Sequence, residues 1–261
     1  MRFIVTKDCM ELGNVMSQLM LKHMHSPKNR VNIAVTTGNT CIAGYDCLIP
    51  QIRNKDYFKN VHYYIFDEFW FKNEDKTGLI PDCKISLDRK LFAAAGIENE
   101  RIHNLDYENY KTFDEDILRD GGFELVIMGI GKNGHFCGNQ PGTFASWNTG
   151  TRMVRTDATE YLRSYSKHLL TDDFHSDDEE RIPEYYITMG PKTIMSSRNI
   201  IFILSGREKA EVAKRAFIDP VSMDYPVSIF QMHPNVTVIL DEAAAAFIKD
   251  PAASCGRKEK L

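Results

Sequence analysis

The sequence predicts an α/β protein, a single-domain, three-layer Rossmann-like fold with a mostly parallel sheet. Three observations carry that expectation. Short apolar runs of strand type alternate with longer helix-type patterns, which is how βαβ units read. A chain of 261 residues with 43% hydrophobic content can bury a sizeable core. No internal repeat or low-complexity linker divides it, so residues 1–250 are expected to form one domain, with 251–261 as a disordered tail.

Phe3-Ile4-Val5-Thr6 reads as the first strand, followed by a helix over Asp8–Met24 with Asp8 as its N-cap. Arg30–Thr36 is the second strand, running into Thr37-Gly38-Asn39-Thr40 before a helix that carries Cys41, Ala43, Tyr45, Leu48 and Ile49. Val61–Phe66 is the third, ending in Asp67-Glu68, and a helix over Ile85–Ala95 is closed by Gly96 at C′. Tyr107–Leu118 reads as a helix and Glu124–Met128 as a short strand bounded by glycines. The second half adds strands at Tyr185–Met189, Asn199–Leu204 and Val236–Leu240, and helices at Glu208–Phe217 and Glu242–Lys249. The acidic stretch Asp172–Glu180 reads as a mobile surface loop.

Composition narrows the function classes. A formal charge of -4 and a pI near 6.1 leave no basic footprint for nucleic acid, so small-molecule chemistry is the starting expectation. There is no signal peptide and no run of about 18 uncharged apolar residues, which points to a soluble cytoplasmic protein away from membranes. The 6 cysteines (Cys9, Cys41, Cys47, Cys83, Cys137, Cys255) form no C-x-x-C pair and read as reduced thiols, mostly buried. The 8 histidines are dispersed, and His23 and His25 do not share a helix face, so no metal or cofactor is expected.

Three strand ends carry the chemistry, because ligands of open parallel sheets bind beyond the carboxyl ends of the strands. The first, Thr36-Thr37-Gly38-Asn39-Thr40, offers hydroxyls and backbone N–H groups that suit a phosphate, or else forms an ordinary strand-to-helix turn with Thr40 as N-cap. The second, Asp67-Glu68, sets two carboxylates before Phe69, Trp70 and Phe71, and burial among aromatics raises a carboxyl pKa into the range of acid/base work. The third, Gly129-Ile130-Gly131-Lys132-Asn133-Gly134-His135, matches the dinucleotide fingerprint in its letters. The helix that fingerprint requires is missing, since Gly138, Pro141 and Gly142 follow. His135 remains as the loop's candidate for proton transfer near neutrality.

Together with Gly138-Asn139-Gln140-Pro141-Gly142, Thr151-Arg152 and Ser205-Gly206-Arg207-Glu208-Lys209-Ala210, these segments resemble the glucosamine-6-phosphate isomerase/deaminase family, which shares its fold with the 6-phosphogluconolactonases. The resemblance covers nearly the whole chain in order. It implies that Thr37, Gly38, Asn39, Thr40 and Lys209 hold a sugar phosphate, with a further contact from Arg163 or Lys167. It implies that Asp67, with Glu68 beside it, is the base that moves a proton between C1 and C2 of the open-chain sugar. His135 would assist ring opening, Gly131 and Gly134 would approach the substrate, and self-association would be expected.

Two departures stand out. Where family deaminases carry an aspartate and a glutamate that orient and charge the histidine, this chain has Asn133 and Gln140. An amide cannot take a proton and stabilises an imidazolium far less than a carboxylate does. Ring opening by the usual relay would fall by about two to four powers of ten. Three readings stay open: an isomerase or deaminase acting on glucosamine-6-phosphate or a related phosphorylated sugar, a lactonase in which His135 activates water, and a sugar-phosphate sensor without turnover.

Overall fold

A computed structural model describes residues 1–248, and its centre is a parallel sheet of seven strands. Their order is Arg2–Thr6, Val236–Asp241, Ile200–Leu204, Phe123–Met128, Val31–Val35, Val61–Ile65 and Ile102–His103. Alternate side chains of each strand enter two separate apolar layers. Ile33, Leu125 and Ile203 pack with Leu12, Met16, Tyr45 and Leu48 from the helices Cys9–Met24 and Ile42–Ile52. On the other face, Ala34, Val126 and Phe202 pack with Phe113, Ile117, Val212 and Phe217 from the helices Phe113–Arg119 and Ala210–Phe217. With both faces covered, the strands read as nearly continuous apolar runs, as the sequence does.

Local chemistry sets the ends of these elements. Asp8 caps the first helix by accepting from the backbone of Met10 and Glu11 at 3.0 and 2.9 Å, while the Glu11 side chain reaches back to the Lys7 N–H at 2.7 Å. Gly96 closes the Ala93–Ala95 turn in the left-handed region, φ 67°, as expected of a C′ glycine. That helix starts earlier than expected, at Asp82, and passes through a π-helical segment at Asp88–Phe92.

Several expectations are corrected. Tyr185–Thr188 does not join the parallel sheet; it forms the middle of a three-stranded antiparallel sheet between Asp67–Glu68 and Arg152–Arg155. Its register sets Thr188 opposite Asp67 on one side and Arg152 on the other. Tyr107–Leu118 is helical only from Phe113, after a 3-10 turn at Asn109–Lys111. The segment from Glu242 forms turns instead of a helix up to Phe247; Lys249 and the expected tail 251–261 lie outside the described residues. The acidic stretch is structured: Asp172 and Asp173 end a helix over Glu160–Phe174, and Asp178, Glu179 and Glu180 pair with Lys76 and Lys167.

Candidate active site

The sheet order reverses between Val31–Val35 and Phe123–Met128, and the loops after these two strands part there. A cleft of about 610 Å³ opens between them, against 260 to 280 Å³ for three hollows elsewhere on the surface. Thr37, Gly38, Asn39, Thr40, Asp67, Gly131, His135, Gln140 and Lys209 all line it. All three strand ends that the sequence singles out thus converge on one site.

Asp67 is the acid of this cleft. Its Oδ1 accepts from the Gly138 N–H at 2.8 Å, and that N–H is shared with the Thr188 hydroxyl at 2.9 Å. Burial pushes the Asp67 carboxyl up to about 7, against the pull of the Thr188 hydroxyl, the Gly138 N–H and the Arg152 guanidinium. Arg152 is braced by Asn139 Oδ1 at 2.9 Å and lies over the Phe144 ring. The motifs around Gly138 and Arg152 therefore build the wall behind Asp67.

His135 holds its ring against Gly131, where a Cβ would come within 2.0 Å of the imidazole, so only glycine fits. Its Nδ1 lies 2.7 Å from Asn133 Oδ1, and Asn133 Nδ2 donates to Gln140 Oε1 at 2.5 Å. An amide oxygen only accepts, so Nδ1 carries the hydrogen and Nε2 the lone pair. Burial, with Lys209 nearby, holds His135 down at about 4, and the imidazole is neutral at pH 7. Gly134 lines no part of the cleft; it turns at φ 81° and packs on Tyr225. Asn133 likewise stands behind the histidine and not in the lining.

Glu68 is placed elsewhere. Successive residues of a strand face opposite ways, and Glu68 is fully buried, accepting from the backbone of Phe69, Cys83 and Lys84 at 3.0, 2.8 and 3.0 Å. It satisfies the first turn of the Asp82–Leu87 helix and does not line the cleft. Burial raises its pKa to about 8 against the N–H of Cys83, the side chain of Asn104 and the N–H of Lys84. Arg163 and Lys167 also turn away, pairing with Glu160 and Glu179.

At the other end of the cleft, Lys209 donates to the Ile130 carbonyl at 2.7 Å, and burial lowers its pKa. Lys132 adds a second cation to the lining. Lys90, which sequence reading misses, reaches under the threonine loop and donates to Thr37 O at 2.5 Å and to Asn39 Oδ1 at 3.2 Å. Thr40 supplies no side-chain cap to the helix that follows. Sequence reading finds Phe69 but misses Tyr161, Tyr165 and Tyr186, which complete an aromatic wall in which the Tyr161 ring stands 5.3 Å from His135. Tyr161 and Tyr165 lie four apart on the Glu160–Phe174 helix, a spacing that marks one helix face.

A carboxyl titrating near neutrality and a neutral imidazole, sharing a cleft with a cationic, hydroxyl-rich end, define proton-transfer chemistry on a small anionic ligand. Comparison with known proteins narrows that class. Residues 10–239 match the model of the family described as glucosamine-6-phosphate isomerases/6-phosphogluconolactonase, and the chain belongs to this family. A glucosamine-6-phosphate deaminase of Shouchella clausii is 30% identical over 256 residues, covering 94% of this chain and 97% of the relative. One of Oenococcus oeni is 37% identical over 217 residues, covering 82% and 85%. Among solved structures, a monomeric glucosamine-6-phosphate deaminase superposes with a TM-score of 0.78 at 23% identity, covering 95% of this chain and 100% of that one. The 6-phosphogluconolactonase of Trypanosoma brucei gives 0.66 at 16%, covering 95% and 98%. At those identities the two structures establish the fold alone.

Three outcomes follow from this geometry. Glu68→Ala leaves three backbone N–H groups without their acceptor and lowers unfolding stability by about 3 kcal/mol in urea titrations, with Glu68→Gln milder because one oxygen still accepts. The Asp67, Glu68 and Asp82 carboxyls are all raised by burial, to about 7, 8 and 7, so the folded state keeps protons that the unfolded chain has released. The histidines whose folded pKa values are lowered act in the opposite sense, but only until the unfolded imidazoles have lost their protons, by about pH 7.5. Stability therefore falls as pH rises from about 7.5 through about 8.5, measured as a lower urea midpoint at the alkaline end. Lys90→Met loosens the threonine loop and weakens binding of inorganic phosphate by about tenfold in calorimetry, while Lys90→Arg retains most of it.

Proposed function

We propose that the chain is an aldose–ketose isomerase or deaminase acting on a phosphorylated sugar or amino sugar such as glucosamine-6-phosphate. The observation that carries this reading is Asp67: a half-buried carboxyl raised by desolvation to about 7, fixed by the Gly138 N–H and lining the cleft. A base must be ionised to remove the proton next to a carbonyl, and must release it again to the neighbouring carbon. A pKa near the working pH serves both steps. Thr37, Gly38, Asn39, Thr40, Lys209 and Lys132 take the phosphate, with Lys90 shaping the loop beneath it. His135, with its lone pair on Nε2, accepts the anomeric hydroxyl proton as the C1–O5 bond breaks and passes that proton to O5, which leaves the open-chain aldose with a hydroxyl at C5.

The neutral state of His135 favours a second reading, in which the imidazole activates water against a phosphorylated lactone. The two part at Asp67, which hydrolysis does not need. Asp67→Asn is expected to lower isomerisation or deamination at least a hundredfold, followed by NMR of the sugar carbons, with sugar-phosphate binding kept. The kcat/KM of the wild-type chain should rise with pH through about 7 as Asp67 ionises. Turnover untouched in Asp67→Asn and lost in His135→Ala would replace this reading with the hydrolase. Thermal stabilisation by sugar phosphates without any turnover would make the protein a sensor.

A further inference from the structure

The relay behind His135 runs in one direction. His135 Nδ1–H donates to Asn133 Oδ1, and Asn133 Nδ2–H donates to Gln140 Oε1. With its oxygen engaged, Gln140 keeps a pair of N–H groups on Nε2, for which no acceptor is found among the described residues, and the residue, almost fully buried, lies in the wall of the cleft. One end of the chain thus offers a lone pair, on His135 Nε2, and the other end offers a hydrogen, on Gln140 Nε2. Both ends are uncharged. Among the described residues, the charged groups of the lining are two lysines, Lys132 and Lys209, and one carboxyl, Asp67, which is held near half ionisation at pH 7 and lies in the field of Arg152.

Resting on the proposed sugar-phosphate reading, we propose that this cleft selects a phosphorylated aldose bearing a hydroxyl at C2 over one bearing an ammonium there. Asp67 acts at C1 and C2, and Asp67, Gln140 and His135 line the same cleft, so the C1–C2 end of the sugar meets the relay. A hydroxyl at C2 accepts from Gln140 Nε2–H, which leaves His135 Nε2 to the anomeric hydroxyl. An ammonium only donates, so it meets Gln140 donor to donor, and it adds a third positive charge where a single half-ionised carboxyl must answer it. The two lysines already balance a dianionic phosphate. On the hydroxyl substrate the reaction conserves every atom. Asp67 takes the C2 hydrogen as a proton and returns it to C1, O2 loses its hydroxyl proton and O1 gains one, and the aldose becomes the ketose with no ammonia released.

Glucose-6-phosphate and glucosamine-6-phosphate differ only in this substituent. Both are titrated at pH 7 into the wild-type chain and into Gln140→Glu and Asn133→Asp, each change nearly isosteric, with inorganic phosphate as the reference for the phosphate end. Wild type is expected to bind glucose-6-phosphate at least tenfold more tightly, and Gln140→Glu to shift the ratio at least tenfold toward the amino sugar. The His135 ring resonance in Asn133→Asp should titrate at least one pH unit higher, since a carboxylate then faces Nδ1–H. A wild-type preference for glucosamine-6-phosphate, or a ratio unmoved in Gln140→Glu, overturns the inference and leaves the sugar-phosphate reading intact. Failure of both sugars to bind overturns the reading itself and the inference with it.

Discussion

The cleft depends on one pairing in the sheet, the parallel contact between Val31–Val35 and Phe123–Met128, strands far apart in sequence. Asn32 lies opposite Phe123, and after a register shift Ile33 and Ala34 lie opposite Leu125 and Val126. From Val35 the chain turns into the helix that packs on one face, whereas after Met128 the chain sends Ile130, Phe136 and Cys137 into the apolar layer of the other. Two neighbouring strand ends thus shed their loops in opposite directions. The gap between them is a consequence of topology, and its position is fixed before any polar side chain is chosen.

Within that gap, the small antiparallel sheet decides which carboxyl faces the cleft. Asp67 and Glu68 are adjacent and chemically alike, yet the pleat sends one to the cleft and the other to the first turn of the Asp82–Leu87 helix. Both are desolvated and both are raised above the ordinary carboxylate range. Glu68 is held by three backbone N–H groups that close a helix end, so its lone pairs are committed. Asp67 shares a single N–H with Thr188, which leaves oxygen capacity facing the cleft. Availability of lone pairs, more than pKa, separates the acid that faces the cleft from the one committed to a helix end.

This distinction also marks what the sequence makes legible. The parallel strands, the Asp8 cap, the Gly96 terminus and the convergence of three strand ends all follow from local signals such as apolar runs, cap residues and glycines, and the structure bears them out. Which of Asp67 and Glu68 faces the ligand depends on pairing with Tyr185–Thr188, more than a hundred residues away, and no local pattern reports it. The helix Glu160–Phe174 escapes notice because only Leu162, Ser166, Leu169 and Leu170 are buried along it, and its acidic end resembles a loop. Lys90 lies in a helix distant in sequence from the threonine loop, and only the packing of the Asp88–Phe92 segment brings its amine to Thr37.

The amides at 133 and 140 bear on the base as well as on the histidine. Gln140 follows two residues after Gly138, whose N–H holds Asp67, and both side chains line the same cleft. A carboxylate at 140 would add like charge beside a carboxyl that burial has already brought to about 7, and would push it higher. A second at 133 would do so again, while drawing His135 upward from about 4. With amides the relay keeps its geometry and its choice of tautomer and contributes no charge to either partner. Asp67 then titrates near neutrality and His135 stays unprotonated across the same range, so the proposed base and the proposed ring-opening imidazole hold compatible states together at one pH. Carboxylates at both positions would move the two groups' pKa values together, so that compatibility rests on the relay being neutral.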